Sequence, residues 1–234
     1  MKRGKRINEL RARMGDEELT LREALSLCKE LSNENFDASV EVAMRLGVNP
    51  RKAEENLRGS CPAPAGLGKK ITVLAFVSGD KIAEARDAGA DIIGDDEVVE
   101  KIQQGWTEFD KVVATPDQMK SIARLGRILG PKKLMPSPKD GTVTPDIGKA
   151  VSELKQGKIN FRVDRAGIVH AMVGKVSFDL EALYKNAHSL IDTLVKMRPA
   201  SVKGRYIKSI TISSTMGPGI KVNPRFFADE ARKV

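Results

Sequence analysis

Thr215-Met216-Gly217 sets a hydroxyl, a soft thioether and a residue with no side chain next to one another in a stretch rich in turn formers. Glycine lets a second backbone approach the main chain closely. Threonine supplies a donor and an acceptor, and methionine presents a polarizable surface to a flat ring. The trio suits contact with a nucleic-acid strand, although a plain turn after a strand has the same composition. Phe36, between Asn35 and Asp37, could stack on a ribose or base, or fill a core. The signs of catalysis are weak. His170 and His188 are too few and too far apart to suggest acid–base chemistry, and Cys28 and Cys61 form no CxxC pair with nearby histidines. GRILGPKK (126–133) resembles a phosphate loop only superficially, because Pro131 stands where G-x-x-x-x-G-K-[ST] needs glycine. HExxH, GxSxG and GxGxxG are absent from the sequence. Neither an enzyme, nor a metal, nor a cofactor is expected.

Charge points to the partner. The chain of 234 residues carries a formal net charge of +9, an excess that favours polyanions such as nucleic acid. Its placement is uneven: 12 Lys/Arg against 11 Asp/Glu in residues 1–66, 14 against 14 in 67–157, and 14 against 6 in 158–234. The first residues are also basic (Lys2, Arg3, Lys5, Arg6, Arg11, Arg13), followed by Asp16, Glu17 and Glu18. Aromatics make up 4%, so a core must be built mainly of aliphatic side chains. No apolar run nears the ~20 residues of a membrane span, and the cysteine usage fits a reduced, cytoplasmic setting.

These residues need elements to hold them. Residues 19–31 have apolar positions at helical spacing, and Thr20 with Glu23 fits a capping box. Residues 38–46 alternate, as in a half-buried strand. The stretch 58–70, with two prolines and three glycines, reads as a loop or linker. INFRVD (159–164) and IVHAMV (168–173) flank a turn at Arg165-Ala166-Gly167; residues 179–197 form an amphipathic helix, and 205–214 a last strand. These four strands and two helices predict a two-layer sheet. Its open face would show Glu41, Arg45, Asn160, Arg162, Asp164, Ser209, Thr211 and Ser213, suited to phosphate, ribose and base edges, or to plain solvent.

The middle has a different grammar. ITVLAFV (71–77) is a continuous apolar run, as for a strand covered on both faces. Helices near 80–89 and 95–104, a short strand at 91–94, KVVAT (111–115) and a helix from Pro116 to about 126 follow in alternation. The pattern predicts a small parallel α/β sheet. An irregular segment (126–146) and a helix (146–156) close it; residues 118–139 carry six basic side chains and no acid. Residues 67–157 therefore read as an α/β domain inserted into a split α+β domain made of 1–66 and 158–234.

GRILGPKKLMPSPKDGTVTPDI (126–147) resembles the signature segment of the L-one family of bacterial-type large-subunit ribosomal proteins. FDASVEVAMRLG (36–47), FRVDRAGIVHAMVGKVSF (161–178) and ITISSTMGPGIKVN (210–223) are similar to further blocks of that family, in its order. The resemblance implies a Rossmann-like domain inserted into a split α+β one. It also implies a non-catalytic protein, monomeric when free, that binds large-subunit ribosomal RNA at the mobile stalk near the exit site of spent tRNA. Help in releasing deacylated tRNA and repression of its own messenger RNA would follow. By the same resemblance the RNA contacts are Phe36, Glu41, Asp164, Arg165, His170, Gly174, Lys175, Ser209, Thr215, Met216 and Gly217. Arg165 stands where lysine is also common, which keeps the charge but not its geometry. The basic 118–139 segment stays open as a contact. A nucleotide-using enzyme would need a glycine loop after residues 71–77, where SGDKIAEA (78–85) has one glycine. A general RNA chaperone would bind unrelated RNA equally well.

Overall fold

The structure, a computed structural model, describes residues 4–15, 17–79 and 81–228. Lys2, Arg3, Asp16, Asp80 and the side chain of Lys139, which figure in the sequence pattern, lie outside the described residues. The chain divides into two compact units, residues 1–68 with 159–234 and residues 69–158.

The leading segment opens with a helix that its polar sequence did not predict, α1 (Lys5–Arg13), which buries Leu10 alone. Next comes α2 (Leu21–Glu30), started by a complete capping box: the Glu23 amide donates to Thr20 Oγ1 at 3.3 Å, and the Glu23 carboxylate accepts from the Thr20 amide at 2.9 Å. The Thr20 amide, and the Thr20 hydroxyl donating at 2.8 Å, hold the Glu23 carboxyl below its usual range. In β1 (Ser39–Leu46), Val40, Val42, Met44 and Leu46 are buried, and Glu41 and Arg45 exposed. The stretch expected to be a linker contains β2 (Arg58–Pro62). Gly59 and Cys61 are its inward positions, and a Cβ at Gly59 would meet Phe161 and Met197 at 3.2 Å. That glycine permits close packing rather than breaking the strand.

In the insert, β3 (Val73–Phe76) lies between the parallel partners β4 (Ile92–Ile93) and β5 (Lys111–Ala114). The helices α3 (Lys81–Asp87) and α4 (Asp96–Gln103) make the crossovers. After Pro116 the chain forms α5 (Met119–Ala123), then α6 (Gly126–Leu129) inside the segment expected to be irregular, and later α7 (Ile147–Gln156). Alternate residues of β3 feed two cores. Val73 and Ala75 pack with Ala85, Ile147, Val151 and Leu154; Leu74 and Phe76 pack with Val98, Ile102, Ile122 and Leu129. A sheet buried on both faces explains the continuous apolar run.

The returning chain supplies β6 (Lys158–Arg162), β7 (Ile168–Lys175), α8 (Leu180–Lys196), β8 (Ile207–Ser214), β9 (Ile220–Val222) and α9 (Arg225–Ala228). A four-stranded sheet is present, but one of its members differs from expectation. Its order is β7-β1-β8-β9, antiparallel throughout, while β6 pairs with β2 in a separate two-stranded sheet. Both β6 and β2 alternate inward positions (Ile159 and Phe161; Gly59 and Cys61), which lets them share the core as a pair. Asn160 and Arg162 therefore leave the predicted open face. Helices α2 and α8 pack on one side of the four-stranded sheet, and Leu25, Met44, Leu183 and Leu190 there are fully buried.

Candidate nucleic-acid interface

Because α2 and α8 take one side of the sheet, the alternate side chains of its strands form an uncovered face, with β1 at its centre. Strand register puts Glu41 between Met172 and Ser213, Ala43 between His170 and Thr211, and Arg45 between Ile168 and Ser209; Thr211 adjoins Lys221 on β9. Glu41, Arg45, His170, Ser209 and Lys221 are exposed. An eight-residue strand such as β1 runs ~25 Å, so the face has two separate ends.

At one end three segments meet. The Ser39 amide donates to Thr215 Oγ1 at 2.9 Å, which ties the loop after β8 to the start of β1. Lys175 is opposite Ser39. Even-numbered residues 168, 170 and 172 share the open face; Lys175 joins them because the register shifts, Val40 facing Gly174 and Glu41 facing Met172, so that Val173 is the extra residue of a β-bulge. Lys175 Nζ donates to the Asp37 carbonyl at 3.1 Å, and the Asp37 carboxylate accepts from the amide and hydroxyl of Ser177. This holds the loop that carries Phe36. Phe36 and Met216 are 55% and 56% exposed. Phe36 is thus no core aromatic.

Asp164 and Arg165 occupy the opposite end, in the turn between β6 and β7. One Asp164 oxygen accepts from the amides of Ala166 and Ile168, both at 2.8 Å; the other is 3.8 Å from His170 Nε2. The Ile168 amide, then the Ala166 amide and His170, hold the Asp164 carboxyl below the usual carboxylate range against partial desolvation. Asp164 shapes its turn and flanks His170, with Arg165 exposed beside it. Gly174 differs from the other candidates: a Cβ there would lie 2.7 Å from Leu183, on the helix side. It lies beside the bulge, leaves room for Leu183 and Phe178, and has no direction toward the open face.

Sequence reasoning missed Ser39, Met172 and Lys221. The alternation of 168–173 carried a signal for Met172; Ile220–Val222 is too short for any period to mark it as a strand. In the insert, Lys120, Arg124, Arg127, Lys132 and Lys133 of the basic segment are exposed on α5, α6 and the turns that follow them. They form no part of the face on the sheet. Lys133 takes a left-handed backbone (φ 58°), and Lys132 Nζ donates to Thr107 Oγ1 at 2.5 Å. His188, on the helix side, has Nδ1 2.9 Å from Asp192. Cys28 and Cys61 are buried, and burial pushes each thiol up to about 11. Among the described residues no group of three or more His, Cys, Asp or Glu could hold a metal ion, and no helix is long and apolar enough to cross a membrane.

A polar sheet face with exposed apolar side chains at its rim has chemistry suited to ribose, phosphate and unpaired bases rather than the concavity of a small-molecule pocket. Residues 28–218, most of the chain, match the model of the ribosomal protein L1p/L10e family; the protein therefore belongs to that family, and it is a structural protein of the ribosome that binds ribosomal RNA.

Proposed function

We propose that the open face of the β7-β1-β8-β9 sheet holds large-subunit ribosomal RNA at the mobile stalk beside the tRNA exit site. Phe36, Lys175, Thr215, Met216 and Gly217 would form one end of the contact, Glu41 and Ser209 its middle, and Asp164, Arg165 and His170 the other end. Gly174 contributes through the bulge. From that position the protein assists release of deacylated tRNA, and the same face binds a similar element in its own messenger and represses its translation, in the cytoplasm.

One observation carries this reading: Phe36 and Met216, two of the largest exposed apolar side chains, stand beside Thr215 and Lys175 at one rim of a polar sheet. Flat or soft apolar groups stack on unpaired bases, while hydroxyls and a cation reach ribose and phosphate. Charge agrees. Lys and Arg exceed Asp and Glu by eight in the unit that holds the sheet and by one in the insert. Repression of the messenger follows from shared chemistry, because an RNA that folds into the same element competes for one face.

The test is equilibrium binding of a stalk RNA fragment. Met216→Asp removes the soft contact and adds a charge repelled by phosphate, and is expected to weaken binding by about 1–3 kcal/mol, the scale of one good direct contact. Unchanged affinity would move the site elsewhere. For the messenger arm, its leader RNA should displace the stalk fragment; simultaneous binding of both would sink the repression reading.

A further inference from the structure

Residues 5–13 lie ahead of the family match at 28–218. With Lys5, Arg6, Arg11 and Arg13 against Glu9 alone, α1 invites a simple reading as a basic arm that touches phosphate. The contacts of Arg6 say otherwise. Its Nη2 donates to the backbone carbonyl of Met216 at 2.7 Å, and its Nη1 donates to Asn33 Oδ1 at 2.8 Å and lies 3.6 Å from Glu34 Oε1. Glu34 in turn has a side chain only 2% exposed and accepts from the hydroxyls of Ser32 and Ser214, the latter at 3.2 Å. Ser214 begins the same turn, and its carbonyl accepts the Gly217 amide at 3.2 Å.

We infer that Arg6 is a positioning residue for the Thr215-Met216-Gly217 turn, fixing its shape for RNA without itself binding RNA. The turn is pinned from two directions, Thr215 by the Ser39 amide of β1 and Met216 by the Arg6 guanidinium of α1. The second bond fixes the plane of the peptide that follows Met216. Its side chain is left outside, 56% exposed. A turn already held in its bound shape gives up less freedom on binding, and so binds more tightly and more selectively. The planar fork suits the task, because it reaches a carbonyl, an amide oxygen and a carboxylate at once, which an ammonium on a single stem cannot. A phosphate would have to draw the guanidinium away from all three.

The inference rests on the turn being an RNA contact, so the experiment tests both. Affinity for the stalk RNA fragment and for an unrelated RNA is measured over a salt series for the full-length wild type, Arg6→Ala, Arg6→Lys and Met216→Ala. Methyl-labelled methionine spectra of the RNA-free proteins are recorded alongside, with thermal melts as the folding control. Arg6→Ala is expected to lower stalk affinity about tenfold and narrow the preference over unrelated RNA. It should leave the slope of log K against log salt unchanged and shift the Met216 methyl resonance. Arg6→Lys, which keeps the charge and secures the fold if the alanine variant melts early, should recover little of the loss. A slope reduced by about one unit, with the Met216 resonance unmoved, would make Arg6 a phosphate ligand and overturn the inference. So would wild-type binding by Arg6→Ala while Met216→Ala binds weakly. Wild-type binding by Met216→Ala would instead remove the turn from the interface, and the inference with it.

Discussion

Gly217 has a different role from its two neighbours. A Cβ at this position would lie 2.2 Å from Ser214 Oγ, in a hairpin whose second strand is β9. Read from the sequence, the loop follows the last strand and tolerates change; in the structure it connects two paired strands. Gly217→Val is therefore expected to cost about 1–3 kcal/mol of stability, as overpacking does, along with RNA affinity. Met216→Asp should cost affinity alone, and melting curves beside binding curves separate the two effects. The cysteines give a prediction in pH. Burial holds the thiols of Cys28 and Cys61 neutral up to about 11, against an ordinary 9.0. Below the lower value neither state ionises. Between the two values the unfolded chain loses the proton while the folded one keeps it, so stability falls as pH rises through that window. Near pH 10 each thiol should cost about 1 kcal/mol. Urea melts should show the wild type losing stability relative to Cys61→Ala between neutral pH and about pH 10. A pH-independent difference would mean that the thiol ionises in the folded state as readily as in the unfolded one.

At the scale of elements, α8 packs against α2, β2 and β7 of the terminal unit, and one polar residue locks it. Asn186 is fully buried; its Nδ2 donates to the carbonyls of Gly66 and Val173, both at 2.8 Å, and its Oδ1 accepts from the Ala65 amide at 3.0 Å. It joins the helix to β7 and to the segment through which the chain leaves for the insert. Asn186→Ala strands three backbone groups, and is expected to destabilise by about 2–4 kcal/mol in chemical denaturation. A cost below about 1 kcal/mol would mean that water replaces the amide. The helix start at Thr20 gives a smaller, cleaner case. Thr20→Ala removes the Oγ1 half of the capping box, leaving the bond from the residue-20 amide to Glu23, and should cost about 1 kcal/mol, with RNA binding unaffected.

For the whole molecule, the division into two units has a direct consequence. Deleting residues 69–157 behind a short Gly/Ser linker spares Lys158, the first residue of β6, and keeps α2, α8 and all four strands of the β7-β1-β8-β9 sheet. What remains is within the size of an independent domain, and loop closure costs little for a short linker. The shortened protein should melt cooperatively, retain most of its specific RNA affinity, and show affinity falling as salt rises, because neutralised phosphates release counterions. Folding without RNA binding would move the site to the insert, with Lys120, Arg124, Arg127, Lys132 and Lys133 the leading candidates.

Local pattern by itself determined the elements whose burial is periodic. The alternation of Val40, Val42, Met44 and Leu46, the capping box at Thr20, the stripe of α8 and the unbroken apolar run of β3 each have one satisfactory burial, so side-chain spacing was enough to read them. That a turn follows the strand at Thr215–Gly217 was likewise legible from residue types. Which strands pair is a different kind of fact. Asn160 and Arg162 have the same period-two pattern whether β6 lies beside β7 in the main sheet or beside β2; the structure has the second, with Gly59 leaving room for Phe161 and Met197. The bulge that turns Lys175 to the open face depends on the register of β1 against β7, and the fork of Arg6 on Met216 spans 210 positions of sequence. Short-range spacing contains no term for such long-range pairings, which tertiary contact alone decides.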